Sequence, residues 1–374
     1  MNEINIISFD VPFPANYGGV IDVFYKLKYF HSKGIKIHLH CFEYGRGEQS
    51  ELNKYCVSVN YYQRKKGWSS LLSLTPYIVK SRTSSKLKTN LLKNNFPILF
   101  EGLHSCFLLD DIVFKNRIKI FRSHNIEHNY YNHLALAEKN IKKRQYYQSE
   151  AKKLLRFEPI IKNATVSLVV SLKDLVYFKN KYPKSQFEFV PCFHAGEEVT
   201  VKSGIGNYVL YHGNLSVSEN KNAAEFIIQQ LFKELTIPLI IAGLNPPADL
   251  IQLIKKYDHI RLIANPDDKE MNELIANAQI NLLYTNQATG LKLKLLNVLY
   301  NGRHCIVNSK MVEGTSLSEL CGVEDDISQL KKLITTTFNN EISTQEIEKR
   351  KTVLLRDYSN ESSYQKIIKA LQSF

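Results

Sequence analysis

Residues 289–297 read Thr-Gly-Leu-Lys-Leu-Lys-Leu-Leu-Asn, and an apolar run follows at 304–307. This order predicts a loop, then a helix whose start lies at Gly290, then a buried strand. Gly290, Lys294 and Asn297 share one helical face by their i, i+4, i+7 spacing. A bare glycine, a helix N-terminus and a lysine suit an anion such as a phosphate. The alternative is the solvated face of an ordinary helix.

The same alternation of strand and helix runs along the whole chain, which predicts βαβ units and parallel sheets. Because the strand runs are rich in β-branched residues and leucine, we expect them to be buried on both faces. The predicted strands are 4–9, 35–42, 57–61, 97–101, 118–122, 165–170, 187–190, 208–211, 238–242, 259–263, 279–284 and 304–307. Helical patterns lie between them, for example at 20–33, 132–158, 221–235, 268–277 and 291–300.

With 374 residues the chain is too long for one compact core and suits two domains. The strand–helix pattern restarts after Phe189-Val190-Pro191, where a glycine-containing stretch has little periodicity. We therefore expect one α/β domain over 1–190, a second over 191–341 and a helical segment over 342–374. The fold class is two doubly wound, Rossmann-like domains that face each other across a cleft.

The N-terminus lacks the pattern of a signal peptide, and no apolar run is long enough to span a bilayer. The six cysteines form no C-x-x-C pair, which is typical of reduced thiols in a cytosol rather than of a disulfide framework or a zinc site. We therefore expect a cytoplasmic protein.

The net charge of +13 is concentrated in the first half. Residues 1–190 hold 30 Lys and Arg against 15 Asp and Glu, so this half is expected to meet an anionic partner. Two basic segments, 64–93 and 142–156, carry much of the excess, and the first contains Trp68 among leucines. Such segments suit an anionic membrane surface, at the inner leaflet. Solvated helical faces are the alternative, and no zinc-finger or RNA-recognition signature favours nucleic acid.

Three further segments follow predicted strands, where doubly wound sheets bind ligands. After strand 4–9, Gly18 and Gly19 open a helix and expose backbone N–H groups to an anion, although G-x-G-x-x-G is absent. After strand 208–211, Gly213 and Asn214 form a loop in which glycine permits close approach. At each place a plain structural turn is the alternative.

The segment after strand 118–122 is dense in polar groups, including His124, Asn125, Glu127 and His128. His124 is suited to exchange a hydrogen bond with a substrate hydroxyl. The string also spells H-x-x-E-H, the inverted zinc-protease pattern, for which Glu197 or Glu198 would have to be the acidic ligand. A structural histidine cluster is the third possibility.

Over nearly its whole length the chain resembles two-domain GT-B glycosyltransferases, in particular the large retaining family with bacterial capsule and lipopolysaccharide enzymes. The resemblance rests on segments 16–22 with Gly34, 123–125, 170–174, 213–215, 241–243 and 289–297 with Gly302. The last segment occupies the place of that family's E-x7-E motif. Thr289 and Asn297 stand where the family has its two glutamates, and Asn214 stands where it has an arginine.

The resemblance implies transfer of a sugar from a nucleoside diphosphate sugar to a hydroxyl acceptor, in capsule, lipopolysaccharide or other surface glycan synthesis. It implies that His124 is near the transferred sugar and that Asn125 and Glu127 lie on the acceptor side. It implies no metal and no cofactor beyond the sugar nucleotide. The donor contacts it implies are Gly18, Gly19, Gly213, Asn214, Thr289, Gly290, Lys294 and Asn297.

Two alternatives share this architecture. A nucleotide-sugar epimerase would interconvert sugars without an acceptor, and product analysis with donor alone separates it from a transferase. A non-catalytic relative would bind sugar or lipid without turnover. The partners expected in the main reading are the donor nucleotide sugar, a glycan or lipid-linked acceptor and an anionic membrane surface.

Overall fold

The computed structural model describes residues 2–67, 73–286 and 292–372. These residues form two compact units. Unit 1 comprises the described residues up to His194 together with those from Tyr358 onward, and unit 2 comprises those between them. The sequence placed the boundaries at 190/191 and 341/342, whereas the units divide at 194/195 and 357/358.

Unit 1 is built on a parallel sheet with the strand order β3-β2-β1-β4-β5-β6-β7. β1 pairs with β2 on one side and β4 on the other, and every residue of β4, β5 and β6 is buried. The strands are β1 (Glu3–Ser8), β2 (Lys36–Glu43), β3 (Ser58–Gln63), β4 (Ile98–Glu101), β5 (Lys119–Ser123), β6 (Val166–Val169) and β7 (Phe187–Phe189).

Unit 2 has a second parallel sheet with the strand order β10-β9-β8-β11-β12-β13. Its central strands β8, β9 and β11 are fully buried, as expected for a sheet covered by helices on both faces. The strands are β8 (Val209–His212), β9 (Leu239–Gly243), β10 (Ile260–Ala264), β11 (Ile280–Leu283), β12 (His304–Val307) and β13 (Gly322–Val323).

The helices of unit 1 connect its strands and include the end of the chain. They are α1 (Gly18–Ser32), α2 (Tyr77–Lys80), α3 (Ser85–Leu91), α4 (Glu127–Ala137), α5 (Ile141–Phe157), α6 (Leu172–Lys181) and α14 (Asn360–Gln372). Short 3₁₀ turns lie at Ser50–Lys54, Leu103–Leu108, Ile112–Phe114 and Glu158–Asn163. Ile367 of α14 packs into the apolar core that contains Leu27 of α1. The last helix is therefore part of unit 1.

The helices of unit 2 are α7 (Ser218–Phe226), α8 (Ala248–Ile254), α9 (Asp268–Asn277), α10 (Leu293–Asn301), α11 (Ser309–Val312), α12 (Ile327–Phe338) and α13 (Thr344–Val353). A π-helical turn, Ile227–Phe232, continues α7, and another, Leu354–Tyr358, follows α13; a 3₁₀ turn lies at Ser318–Leu320. Side chains cap several N-termini, for example Asp267 at α9 and Ser343 at α13. No helix in the described ranges is both long enough and apolar enough to cross a bilayer.

All twelve predicted strands are present within two residues of their expected ends, whereas two helix predictions are wrong in detail. The single helix predicted over 132–158 is two helices, because Asn140 caps the start of α5 by accepting a hydrogen bond from the Lys143 N–H, 3.1 Å away. The helix predicted to start at Gly290 instead begins at Leu293, after an extended Lys292. Residue 290 itself lies outside the described residues.

Candidate functional site

The first candidate site lies at the carboxyl end of the unit 1 sheet, where the direction of strand addition reverses. β1 lies between β2 and β4. The chain adds β2 and β3 on one side of β1, and then adds β4 to β7 on the other side. Ligands of doubly wound folds bind at such a switch point. Phe9, Gly102 and His124 come directly after, or within a residue of, the ends of β1, β4 and β5.

The ring of Phe9 packs against two histidines at this edge of the sheet. Its centroid lies 5.3 Å from that of His104 and 5.5 Å from that of His124, the latter edge-on. A Cβ atom added at Gly19 would come within 2.6 Å of the Phe9 ring, and one added at Gly102 within 3.1 Å of His104. Packing against Phe9 therefore accounts for Gly19 without a ligand.

Gly18 has a different environment, since it is exposed and is the first residue of α1. The residue before it, Tyr17, is extended and makes no capping hydrogen bond; its hydroxyl donates instead to Asp10, 2.7 Å away. Tyr17 thus provides no side-chain acceptor for the first N–H groups of α1. This arrangement suits an anion, as predicted from the glycine pair.

A network of buried charges lies beneath His124. Asp22, Lys26, Glu101 and Arg122 are all fully buried. Lys26 Nζ is 3.2 Å from Asp22 and 2.5 Å from Glu101, and Arg122 donates to both carboxylate oxygens of Asp22 at 3.0 and 3.2 Å. Burial alone would raise the pKa of Asp22, but Arg122 and Lys26 hold that pKa well below its usual range. The two carboxylates and two cations balance in charge.

His124 completes this network. Its Nε2 is 3.0 Å from Glu101 Oε2, and its Nδ1 is 3.9 Å from Asp22 Oδ2. Both ring nitrogens therefore face carboxylates. A hydrogen bond from His124 to a sugar hydroxyl would have to replace one of these contacts, so the geometry favours a role in which this imidazole is held rigidly against the network.

The triad Asp22, Glu101 and His124 also has ligand atoms close enough together to hold a metal ion. Lys26 and Arg122 already occupy and neutralise the carboxylates, which disfavours a further cation there. The zinc-protease ligand set is not assembled: His128 instead faces Glu158, with Nδ1 3.0 Å from its carboxylate.

Glu127 and Asn125 follow His124 in the chain. Glu127 is buried, its carboxylate is 3.9 Å from His104 Nδ1, and burial raises its pKa to about 8. That His104 nitrogen has no hydrogen-bond partner within the described residues. Asn125 is half-buried, and its carbonyl accepts from the Ser123 hydroxyl at 3.1 Å. Sequence reasoning missed His104, which lies in the turn after β4 and has no motif around it.

The second candidate site lies at the corresponding switch point of unit 2, between β8 and β11. A Cβ at Gly213 would lie 2.9 Å from Asn220, and one at Gly243 only 1.7 Å from the Gly213 carbonyl oxygen. Two glycines are therefore needed for the close approach of these loops. The side chain of Asn214 accepts from the Ser216 N–H at 3.1 Å and from its hydroxyl at 2.7 Å, so its amide oxygen stabilises the turn locally.

Lys294 of α10 reaches the Gly213 loop. Its Nζ is 3.4 Å from Asn220 Oδ1 and 5.4 Å from the centroid of the Tyr211 ring. Burial lowers the pKa of Lys294 to about 8, with Glu219 opposing the shift. The neighbouring His212 is buried with no hydrogen-bond partner for Nδ1 in the described ranges, and burial lowers its pKa to about 3. The ammonium of Lys294 and the imidazole of His212 therefore lie near each other at the carboxyl end of β8.

Lys294 and Asn297, which were predicted to share one face of this helix, contact different residues in the structure. Asn297 contacts Asn272 at 3.4 Å and Asn301 at 2.7 Å, and neither contact involves Lys294. Because α10 starts at Leu293, its free N–H groups lie next to Lys294 rather than at residue 290. Thr289 and Gly290 lie outside the described residues.

Several polar residues near Lys294 were not singled out from the sequence. Glu219 accepts a hydrogen bond from the Thr285 hydroxyl, and Lys292 Nζ lies 3.8 Å from the same carboxylate. Thr285 follows β11, the strand next to β8, and this position beyond a buried strand is the signal that identifies it.

Known proteins with similar structures share the whole architecture. Sucrose-phosphate synthase of Thermosynechococcus elongatus has a TM-score of 0.70 at 12% identity and covers 100% of this chain and 99% of its own. Anabaena HepE, solved in complex with UDP and glucose, has a TM-score of 0.67 at 11% identity and covers 100% of both. The lipopolysaccharide outer core galactosyltransferase WaaB has a TM-score of 0.65 at 13% identity, covering 99% of both.

These likenesses confirm the predicted fold, the two-domain parallel α/β architecture of GT-B proteins. In sequence, the chain is 26% identical to a 44.6 kDa protein in the cps region of Klebsiella pneumoniae, over 91% of this chain and 92% of that protein. No protein-family model matches the chain.

Proposed function

We propose that this protein is a glycosyltransferase that moves a sugar from a nucleoside diphosphate sugar to a hydroxyl acceptor in surface glycan synthesis. The observation that carries the proposal is the cluster of Lys294, Asn220 and Gly213 at the switch point of unit 2. The fold supports it, as does HepE, whose structure contains UDP and glucose. The location of the sequence relative in a cps region supports a capsule-type product.

Unit 2 holds the donor nucleotide in this proposal. Lys294 and the N–H groups at the start of α10 contact the diphosphate, and the Gly213–Asn214 loop lies against it. Asn297 binds the ribose. Fixed N–H groups and a lysine stabilise negative charge on the leaving diphosphate, which is typically a large contribution to such catalysis.

Unit 1 holds the acceptor, with Asn125 and Glu127 beside it. The N–H groups at Gly18 and Gly19 stabilise the leaving phosphate. His124, fixed by Glu101 and Asp22, positions the transferred sugar by packing against it. These groups bear the charges of the reaction, so the proposal requires no metal and no separate cofactor.

A thermal-shift screen against nucleoside diphosphates and their sugars tests this function, because a ligand that binds only the folded state raises the melting temperature. We expect stabilisation by one nucleoside diphosphate and its sugar, followed by sugar transfer to a hydroxyl acceptor. An altered sugar formed from donor alone would instead identify an epimerase. The absence of stabilisation by every nucleotide would contradict the proposal.

Nucleotide affinity should weaken as the pH rises from 7 to 9. The reason is that burial lowers the pKa of Lys294 to about 8, so its positive charge is lost in this interval, where an ordinary lysine keeps it. Calorimetric titration with UDP at several pH values measures the change. The Lys294→Arg variant, which stays charged, should lose this pH dependence, and equal pH profiles for both proteins would count against the assignment.

A peripheral association with the inner membrane leaflet forms part of the proposal. α5 exposes Lys142, Lys143 and Arg144, and the apolar Leu136 and Ile141 beside them are 82% and 63% exposed. Basic and apolar side chains together suit an anionic lipid surface.

Vesicle sedimentation tests this association. Binding should depend on anionic lipid and fall severalfold when these three cations are replaced by glutamine. Equal binding to neutral vesicles would refute it.

A further inference from the structure

Two basic residues of unit 1, Arg64 and Lys65, contact the segment Ser81–Thr83, which itself contains Arg82. Arg64 Nε donates to the Ser81 hydroxyl at 3.0 Å. The Lys65 N–H donates to the Ser81 carbonyl at 2.8 Å, and Lys65 Nζ donates to the Thr83 hydroxyl at 3.0 Å. The residues that follow β3 therefore lie directly beside Arg82. Lys66 is next in the chain, with its ammonium 5.1 Å from the ring of Tyr44.

Arg82 is the buried member of this group, at 7% exposure. Its Nε and Nη1 each donate to a backbone carbonyl at 2.6 Å, those of Phe9 and Ile78. The bond to Phe9 places the guanidinium at the carboxyl end of β1, beside the switch point of the sheet. In the described part of the chain, no hydrogen bond uses the Nη2 group of Arg82.

None of the four cations forms an ion pair with a carboxylate among the described residues. Two nearby carboxylates already have cationic partners: Asp10 lies 3.3 Å from Arg46, and Glu150 lies 2.9 Å from Lys153. Arg64 stacks on aromatic rings instead, 4.4 Å from the centroid of Tyr44. Burial and then the nearby charge of Arg64 lower the pKa of Arg82 to about 10. Asp10 opposes this shift but is itself paired with Arg46. A buried guanidinium with no ion pair among the described residues is costly, and an anion would relieve that cost.

We infer that Arg64, Lys65, Lys66 and Arg82 form a binding site for a phosphoryl group. Two guanidinium groups and two ammonium groups match the charge and the several acceptor oxygens of a phosphate better than those of a single carboxylate. The assignment rests on the proposed function, because we assign the phosphoryl group to the acceptor that unit 1 holds. The group is carried either by a soluble sugar phosphate or by a lipid.

Phosphate binding by the full-length protein tests the site. The background is Lys294→Ala, which removes the lysine proposed to bind the donor diphosphate in unit 2. In that background, Arg64→Gln should weaken the affinity for inorganic phosphate, measured calorimetrically at constant ionic strength, by at least about tenfold. Lys65→Gln, at an exposed position, should also weaken the affinity for inorganic phosphate, and it replaces Arg64→Gln in the test if that variant does not fold. Lys93→Gln removes an exposed cation elsewhere in unit 1 and should leave the affinity unchanged.

The source of the phosphoryl group is distinguished by two further ligands. Glucose 1-phosphate and vesicles of phosphatidylglycerol in phosphatidylcholine are titrated into the same variants. The ligand whose binding is reduced by Arg64→Gln, but not by Lys93→Gln, identifies a soluble or a lipid-borne group, and either result supports the site.

Two outcomes overturn the inference. One is equal phosphate affinity in Arg64→Gln and Lys93→Gln, and the other is an equally strong, Arg64-dependent affinity for glucuronate. Binding of the nucleoside diphosphates to the unmodified protein is measured separately. The absence of binding by all of them would refute the proposed donor site while leaving the phosphate result interpretable.

Discussion

Replacing Arg122 by alanine should lower the free energy of unfolding by about 3–5 kcal/mol, the range for breaking one side of a buried ion pair. Arg122 is fully buried and donates two hydrogen bonds to Asp22 and others to the carbonyls of Val190 and Pro191. The substitution leaves those acceptors buried, and Asp22 keeps Lys26 and the Phe193 N–H as partners. Urea denaturation followed by circular dichroism measures the loss.

Two further variants make the result specific. Arg156 is an exposed arginine of unit 1, so Arg156→Ala should change stability by less than about 0.5 kcal/mol. The double variant Asp22→Asn/Arg122→Met removes the charge from both partners and should recover part of the loss. If Arg122→Ala were as stable as Arg156→Ala, the network would not have the structural role described above.

Lys294→Ala should weaken nucleoside diphosphate binding by about 1.5–3 kcal/mol, the range for hydrogen bonds to charged groups. This corresponds to about a 10- to 150-fold higher dissociation constant. The ammonium lies at the switch point of unit 2, 3.4 Å from Asn220, where a diphosphate would meet it. Calorimetric titration with UDP measures the difference.

Lys221→Ala is the matched control, because Lys221 is engaged by Asp249 and lies 3.4 Å from Glu225. We expect its nucleotide affinity to stay within about twofold of the unmodified protein, since a surface ion pair contributes little. Unchanged affinity in Lys294→Ala would remove Lys294 from the donor site. A similar loss in both variants would mean that general charge, rather than this contact, attracts the nucleotide.

The candidate site was predictable from the sequence to different degrees in the two units. In unit 2, a glycine loop after one strand and a lysine on a later helix were both recognised, and Lys294 does lie near the Gly213 loop through Asn220. In unit 1, His124 was recognised as a polar residue after a strand, but its partners were not. Glu101 and Asp22 lie 23 and 102 positions earlier, and no periodicity links them to it.

The start of helix α10 was also predicted incorrectly, by three residues. The leucine pattern of 289–297 is compatible with a helix from 290 or from 293, and the extended backbone of Lys292 selects the later start. A three-residue shift changes which N–H groups are free, and so it changes where an anion can bind. Hydrophobic periodicity locates a helix, but it does not locate the end of one.

The sequence by itself determined the order of strands and helices, the parallel sheets and the division into two α/β domains, because these follow from which short segments must bury apolar side chains. The tertiary structure alone decided which charged residues meet. Glu101 and Arg122 lie on neighbouring strands of the parallel sheet, and the packing of α1 against that sheet brings Asp22 into the same buried network. The tertiary structure likewise placed Arg64 and Arg82 near each other, and neither forms an ion pair with a carboxylate among the residues that the structure describes. Long-range charge pairing depends on the register of whole sheets, and local sequence carries little trace of that register.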